Sequence, residues 1–346
     1  MDFRTFPHTE KDLLHLDGAM GEGGGQVLRS ALALSILTHR PIHLTNLRAR
    51  RSKPGLQPQH LKAVEAAATI CGGQVRGAAL HSQQLFFEPG KIHGGRYRFD
   101  IGTAGAAPLV LQTIYLPLAF ASSTSSVTIT GGTHVPFSPC YHYLERAWLP
   151  VLEAAGFWLR IGLEQAGFYP RGGGEIQVQI RPVKTIEPLR CQERGSLVRI
   201  RGISAVANLD EDIARRQKHQ ALRRLEPRCR DSKIEIVHLP SPGKGTMLMV
   251  QAEFEHSGGQ RASGYYFGLG AIGKRAEQVA DEAVDALENF IAGDGTLDEY
   301  LADQLLLPLA FADGPSAYRT ARLTLHLLTN AKELQAILTA RVQYDG

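Results

Sequence analysis

Three glutamines mark the segments of this chain that carry groups able to act on phosphate. Gln26 is followed after 22 residues by Arg48, Gln112 after 21 by Thr133, and Gln304 after 22 by His326. A neutral imidazole is a competent nucleophile at phosphorus, and the planar fork of arginine suits paired contacts to phosphate oxygens. Around the first glutamine stands Gly21-Glu22-Gly23-Gly24-Gly25-Gln26, with Arg29 one helical turn beyond. Glycines let free N–H groups at a helix start approach an anion, Arg29 adds a charge-assisted bond, and Glu22 offers carboxylate oxygen to a divalent metal. The run lacks the GK[ST] ending of a Walker loop, and a glycine-rich turn with a solvated glutamate is the plainer alternative. Arg48, Arg50, Arg51 and Lys53, with Gln59 beyond them, concentrate positive charge after the first strand. They suit phosphate recognition, or form a solvated basic turn.

Thr296-Leu-Asp298-Glu299 resembles a capping box, which places a helix start near Thr296. Tyr300, Asp303 and Gln304 then share one face of that helix, an aromatic plane beside two hydrogen-bonding groups. This arrangement fits a base and ribose, or an ordinary polar face. His326 lies in Leu323-Thr-Leu-His-Leu-Leu-Thr329, where period-two alternation predicts a strand with Thr324 and His326 on one side. A strand histidine of this kind is more often structural. It becomes the leading nucleophile only through its place in the repeat.

The elements that must position these groups recur with them. Each glutamine opens an apolar helix, LRSALALSIL once and LPLAFA twice, followed by HLTNL, VTIT or RLTL as a strand. Pro117 and Pro308 occupy matching places and should kink their helices or shift their starts. A second helix follows in each copy: QHLKAVEAAATICGG, YHYLERAWLPVLEAAGF and NAKELQAIL. Strands QVRGAAL, QLFFEP, WLRIGL and GEIQVQI come after the first two. Copies that keep register imply stacked units whose equivalent strand ends gather in one region. Residues 184–295 do not fit the repeat and read as an inserted β-α-β-β-β-α unit, whose helix carries Arg215, Arg216, Lys218, Arg223 and Arg224. Such a face is usually solvated, although it could steer a polyanion. Phe168-Tyr-Pro-Arg171-Gly-Gly-Gly174 is a further glycine-rich turn with no role derivable from its composition. The expected fold is α/β in the α+β sense, with a repeated large domain (1–183 and 296–346) and a smaller inserted one (184–295).

With 43% hydrophobic and 21% charged residues, the 346-residue chain has an ordinary globular composition. Its net charge of +4 permits an anionic partner without requiring one. Four scattered cysteines form no CxxC pair, which argues against a zinc site or disulfide scaffold and for reduced thiols. The N-terminal segment lacks the apolar stretch of a signal peptide, and no run reaches the roughly 20 apolar residues that span a bilayer. A cytoplasmic location is expected, or a nucleoplasmic one in a eukaryote.

Six segments together carry a resemblance: LDGAMGEGGGQVLRSALALS, RARRSKPGLQPQHL, IGTAGAAPLVLQT, GFYPRGGG, DEYLADQLLLPLA and HLLTN. In this order, and over essentially the whole chain, they resemble the RNA 3′-terminal phosphate cyclases. The resemblance implies a repeated αβ domain with a small insert. It also implies an ATP-dependent conversion of RNA 3′-phosphate ends to 2′,3′-cyclic phosphates through an adenylated histidine and an RNA–pp–A intermediate. It assigns the nucleophile to His326 and the divalent metal, Mg2+ or Mn2+, to Glu22. ATP contacts fall to Arg29, Gln112, Asp303 and Gln304, with adenine between Tyr300 and Pro139. Arg48, Arg51 and Gln59 are assigned to the phosphate and the RNA end. Three other readings stand beside it: a non-catalytic relative acting in ribosomal-RNA processing, against which His326 argues, an enolpyruvyl transferase of similar repeated architecture, and a purely structural RNA-binding module, which would leave the matched set of site residues unexplained. A homo-oligomer is allowed but not indicated.

Overall fold

The computed structural model describes residues 13–255, 262–338 and 340–344. Most of the N-terminal segment considered for a signal sequence, residues 1–12, therefore lies outside the described residues.

The first unit runs β1 (Leu14–Asp17), α1 (Gly25–Thr38), β2 (Ile42–Thr45), α2 (Pro58–Cys71), β3 (Gln74–Arg76) and β4 (Leu85–Glu88). Its strands lie in the order β1-β2-β4-β3, with β1 and β2 parallel. The second unit is β5 (Arg96–Asp100), α3 (Ala107–Ala119), β6 (Ser125–Gly131), α4 (Tyr141–Tyr143), a π-helical turn at Leu144–Trp148, α5 (Leu149–Ala154), β7 (Leu159–Gln165) and β8 (Gly174–Ile180). Its order β5-β6-β8-β7, again with the first pair parallel, repeats the first sheet. The helix expected over YHYLERAWLPVLEAAGF is thus interrupted by the π turn. Pro150 follows closely and has no N–H to donate to an α-helical bond.

Then come β9 (Arg190–Cys191), β10 (Leu197–Ala207), α6 (Glu211–Leu225), β11 (Ser232–His238), β12 (Gly245–Phe254), β13 (Ser263–Leu269) and α7 (Ala276–Ala292). Strands β10 to β13 form their own sheet in the order β11-β10-β12-β13, packed against α6 and α7. The chain ends with α8 (Glu299–Leu309), β14 (Ala317–Tyr318) and α9 (Leu325–Ile337). Strand β9 falls within the stretch expected for the insert, yet it pairs in parallel with β14. The third unit is therefore β9-α8-β14-α9, with the separate sheet spliced between its first strand and first helix. The fold is a mixed α+β assembly of related units.

Local chemistry explains these elements. Helix α2 begins with Pro58 after a reciprocal cap between Gln57 and His60, and it stops at Gly72 in a left-handed conformation. Helix α3 is buried at every position except Gln112. A polar group in such a helix needs a partner, and Gln112 Nε2 donates to Gln304 Oε1 of α8 at 2.6 Å. Pro117 and Pro308 stand in the last turns of α3 and α8, where each removes one N–H that would have donated to the carbonyl four residues back, close to where the helix stops. Helix α8 starts at Glu299 rather than near Thr296. Asp298 is its cap, accepting from the Tyr300 and Leu301 amides, while the Thr296 hydroxyl is turned back to the Arg319 carbonyl.

One sequence expectation is overturned. Leu323–Thr329 is not a strand: Thr324 caps α9 by accepting from Leu327 N at 3.0 Å, and His326 lies in the first turn. The leucine alternation misled because Leu325 is 54% exposed, whereas Leu327, Ala331 and Leu334 are buried at helical spacing. A threonine cap decided the structure. The basic helix α6 is also compensated rather than open. Arg216 pairs with Glu277, and Arg224 with Asp281, Asp285 and Glu288, all on α7.

Candidate functional site

The site forms where α1, α8 and α9 meet. Gly21 and Gly23 have positive φ angles, of +57° and +61°, in the turn leading to α1. A β-carbon on Gly21 would also collide with the Thr329 hydroxyl of α9. The turn therefore has to be glycine, and it brings Glu22 against α9. Glu22 Oε2 touches His326 Nε2, while its other oxygen pairs with Arg51 Nη2 at 2.8 Å. On the far side of the imidazole, Nδ1 stands 3.8 Å from Asp303 Oδ2. Asp303 is held in turn: its Oδ1 accepts from Gln26 Nε2 at 3.0 Å and from Asn330 Nδ2 at 2.7 Å. Gln26 Nε2 also donates to the His326 carbonyl at 3.0 Å.

A polar seam continues behind the histidine. His326, Asn330 and Glu333 fall on one face of α9 and meet Gln26, Arg29 and Ser30 of α1. Ser30 donates to Asn330 Oδ1 at 2.8 Å. Burial lowers the Arg29 pKa to about 10, partly offset by Asp303 and Glu333, so the side chain stays cationic at neutral pH. Burial raises Asp303, an effect opposed by His326, Asn330, Arg29 and Gln26. A cleft here is lined by Gln26, Arg29, Gln112, Asp303, Gln304 and Asn330.

Arg48 sits in a left-handed turn (φ +56°) and closes its own loop, donating to the Gly55 and Lys53 carbonyls. Its pKa is lowered by burial and then by Arg51. His60 is pulled down to about 3 by burial, with Arg48 and Arg29 adding to the effect, so its ring is neutral. A β-carbon on Gly25 would collide with this ring. Gln59, the preceding residue, accepts from Ala106 N at 2.9 Å and so ties α2 to the start of α3.

The structure thus brings Glu22, Arg29, Arg48, Arg51, Asp303 and His326 into one neighbourhood, with Gln112 and Gln304 joined beside it. Tyr300 stands at the start of α8, 53% exposed, edge-on to Tyr266 with ring centroids 6.4 Å apart. Pro139 precedes α4, whose Tyr143 donates to the α8 cap Asp298 at 2.6 Å. Both proposed adenine neighbours therefore belong to segments anchored at the same helix end. Thr133 is not part of the site, despite its place in the repeat. It is fully buried, and its hydroxyl accepts from Gly167 N and contacts His134.

Sequence reasoning missed Ser30, His60, Asn330 and Glu333. Asn330 and Glu333 follow His326 by four and seven residues, a helical spacing hidden by the strand expectation. Glu333 is fully buried, neither of its oxygens has a hydrogen-bond partner, and burial raises its pKa well above the carboxylate range against the pull of Arg29. The folded chain thus holds a proton that the unfolded chain releases above about pH 4.5. Its contribution is intact below that pH and is lost as pH rises toward the folded value. Glu333→Gln has no such proton. Its stability relative to the parent should grow with pH above about 5, by at most about 1.4 kcal/mol per pH unit. Urea unfolding from pH 5 to 8 measures this, and parallel curves for the two proteins would refute it.

The donor set also bears on metal. Among the described residues, no three His, Cys, Asp or Glu side chains form a ready cage. Glu22 Oε2 and Gln26 Oε1 are nevertheless buried without a hydrogen bond. Gln26 Oε1 is unpaired and Glu22 Oε2 has only the His326 ring against it; hard oxygens of this kind suit Mg2+ or Mn2+, which complete their shells with water and phosphate oxygens.

A model of the family described as RNA 3′-terminal phosphate cyclase matches residues 20–344. A protein of that name from Pseudomonas fluorescens is 44% identical over 337 residues, covering 96% of this chain and 95% of the relative. Others of that name, from Ralstonia nicotianae and Nostoc punctiforme, are 42% and 40% identical, with 95% and 96% of this chain and 92% and 96% of theirs covered. A solved enolpyruvyl transferase, NikO from Streptomyces tendae, aligns with 49% of this chain and 33% of its own, at 12% identity and a TM-score of 0.29. That similarity is too weak to bear on function. Among the described residues no helix is long and apolar enough to cross a membrane.

Proposed function

The chain belongs to the RNA 3′-terminal phosphate cyclase family, and on that footing we propose that it converts RNA 3′-phosphate ends to 2′,3′-cyclic phosphates at the expense of ATP. The observation that carries this reading is His326 set between two carboxylates, Glu22 at Nε2 and Asp303 at Nδ1, with Arg29, Arg48 and Arg51 close by.

Glu22 lies against Nε2 and Asp303 stands 3.8 Å from Nδ1; with Glu22 drawn off to a metal, the Asp303 carboxylate would favour the tautomer with its proton on Nδ1 and leave the Nε2 lone pair to attack. His326 Nε2 forms a bond to the α-phosphorus of ATP as the bond to pyrophosphate breaks. An oxygen of the RNA 3′-phosphate then displaces the imidazole and takes the adenylyl group, giving RNA–pp–A. The adjacent 2′-hydroxyl attacks the 3′-phosphorus, loses its proton, and expels AMP. A phosphate monoester has no good leaving group of its own, and adenylation installs one.

Arg29 lies at the cleft with its charge only partly compensated, so a triphosphate gains more from it than water does. Tyr300 offers an exposed ring to adenine, with Pro139 on the neighbouring segment. Glu22 and Gln26 would hold the divalent metal, which when bound offsets charge on the phosphates and departing pyrophosphate. Engagement of Glu22 there would also free the Nε2 atom it now covers.

The products provide the test. RNA with a 3′-phosphate should yield cyclic ends, AMP and pyrophosphate in equal amounts, and RNA with a 3′-hydroxyl should yield none. Release of ADP and inorganic phosphate instead would exclude adenylyl transfer.

A further inference from the structure

We propose that RNA leaving the reaction centre runs across the seam between the second unit and the spliced-in sheet, where Tyr169 stacks on a base and Arg171 and Lys244 each meet a phosphate. This rests on the cyclase reading and assigns a role to the Phe168–Gly174 turn.

The turn is rigid and seated on both sides. Gly172 N donates to the Phe168 carbonyl at 2.7 Å, and Gly172 has a φ of +66°. A β-carbon there would lie 2.6 Å from Ala104 Cα, so the turn rests directly on the loop before α3. The same loop is pinned by Gln59, whose neighbour His60 packs under Gly25 at the start of α1. The turn is therefore linked to the reaction centre through three short contacts. On its other side, Ala166 N donates to the Pro240 carbonyl at 2.7 Å, and a β-carbon on Gly173 would lie 3.0 Å from Pro242. Asn208 holds this facing loop by donating to the Ser241 and Gly243 carbonyls at 2.7 and 2.8 Å.

The groups carried on this frame point to a single strand. Tyr169 is 69% exposed although its neighbour Phe168 is buried. Arg171 and Lys244 are exposed, and among the described residues neither has an ion-pair or hydrogen-bond partner. Arg216 and Arg224 of α6 are in the opposite condition, already paired with α7 carboxylates. Free cations beside a preorganised aromatic ring are the requirement for single-stranded RNA, because every base has a face to stack and every linkage a charge.

The experiment compares cyclisation of a 3′-phosphorylated dinucleotide with that of a 12-nucleotide RNA, for the parent, Tyr169→Ala and the Arg171→Ala/Lys244→Ala double variant. The expected result is a KM for the long RNA about tenfold higher in either variant, with kcat and the dinucleotide KM unchanged. For the double variant, the slope of log affinity against log salt should also shrink by about 1.4, or about 0.7 per lost contact. A wild-type KM and salt slope in the double variant would overturn the proposal, as would an equal loss on the dinucleotide. Absence of turnover in the parent would instead count against the cyclase reading itself.

Discussion

His326→Ala should accept no adenylyl group from α-labelled ATP, and its cyclisation rate should fall by at least about a thousandfold. The side chain stands in the first turn of α9, 43% exposed, with its ring spanning Glu22 and Asp303. Its removal leaves the seam bonds of Gln26, Ser30 and Asn330 intact, since Gln26 uses the His326 backbone carbonyl and not the ring. Folding should therefore survive. The loss should also be confined to the first two steps. Supplied with preformed RNA–pp–A, the variant should still release AMP and close the ring, because the attacking group is then a ribose hydroxyl. Normal labelling of the variant would remove the histidine from the mechanism.

Asp303→Asn is the second change with a large expected effect. Both hydrogen bonds that anchor Asp303, from Gln26 and Asn330, reach the same oxygen, Oδ1. An asparagine can keep them and place its amide nitrogen where Oδ2 now faces His326 Nδ1. The geometry is preserved while the polarity of that contact is reversed. An amide N–H directed at Nδ1 favours the tautomer with the proton on Nε2, where the lone pair is needed. Self-adenylation should slow by roughly a hundredfold or more, in the manner of other histidines that lose their orienting carboxylate. The loss should fall on kcat, with the KM for ATP little changed. A variant that folds and adenylates at the parent rate would show that Asp303 is a structural anchor only.

How far the site could be read in the sequence depended on the kind of signal. The repeat was legible because Gln26, Gln112 and Gln304 each interrupt an apolar helix, and the two intact units share one strand order. The separate sheet was legible because alternating or β-branched strands and the amphipathic helices α6 and α7 carry strong periodicity. The local state of His326 was not, because Leu323, Leu325 and Leu327 imitate a strand while a single Thr324 hydroxyl sets a helix. That one error concealed Asn330 and Glu333. Thr133 shows the converse failure: repeat position predicted shared chemistry, and tertiary packing made the hydroxyl a structural acceptor for Gly167. Register in a repeat predicts where a residue stands, but which polar atoms it meets depends on the neighbours that each copy acquires.

The mechanism turns on which atom of the protein carries AMP between its two substrates. Protein incubated with ATP and a divalent metal, without RNA, can be digested and its adenylated peptide sequenced by mass spectrometry. The adduct should map to His326 alone, survive alkali and be lost in acid, as a phosphorus–nitrogen bond requires. An adduct on any other side chain, or an acid-stable one, would contradict the account.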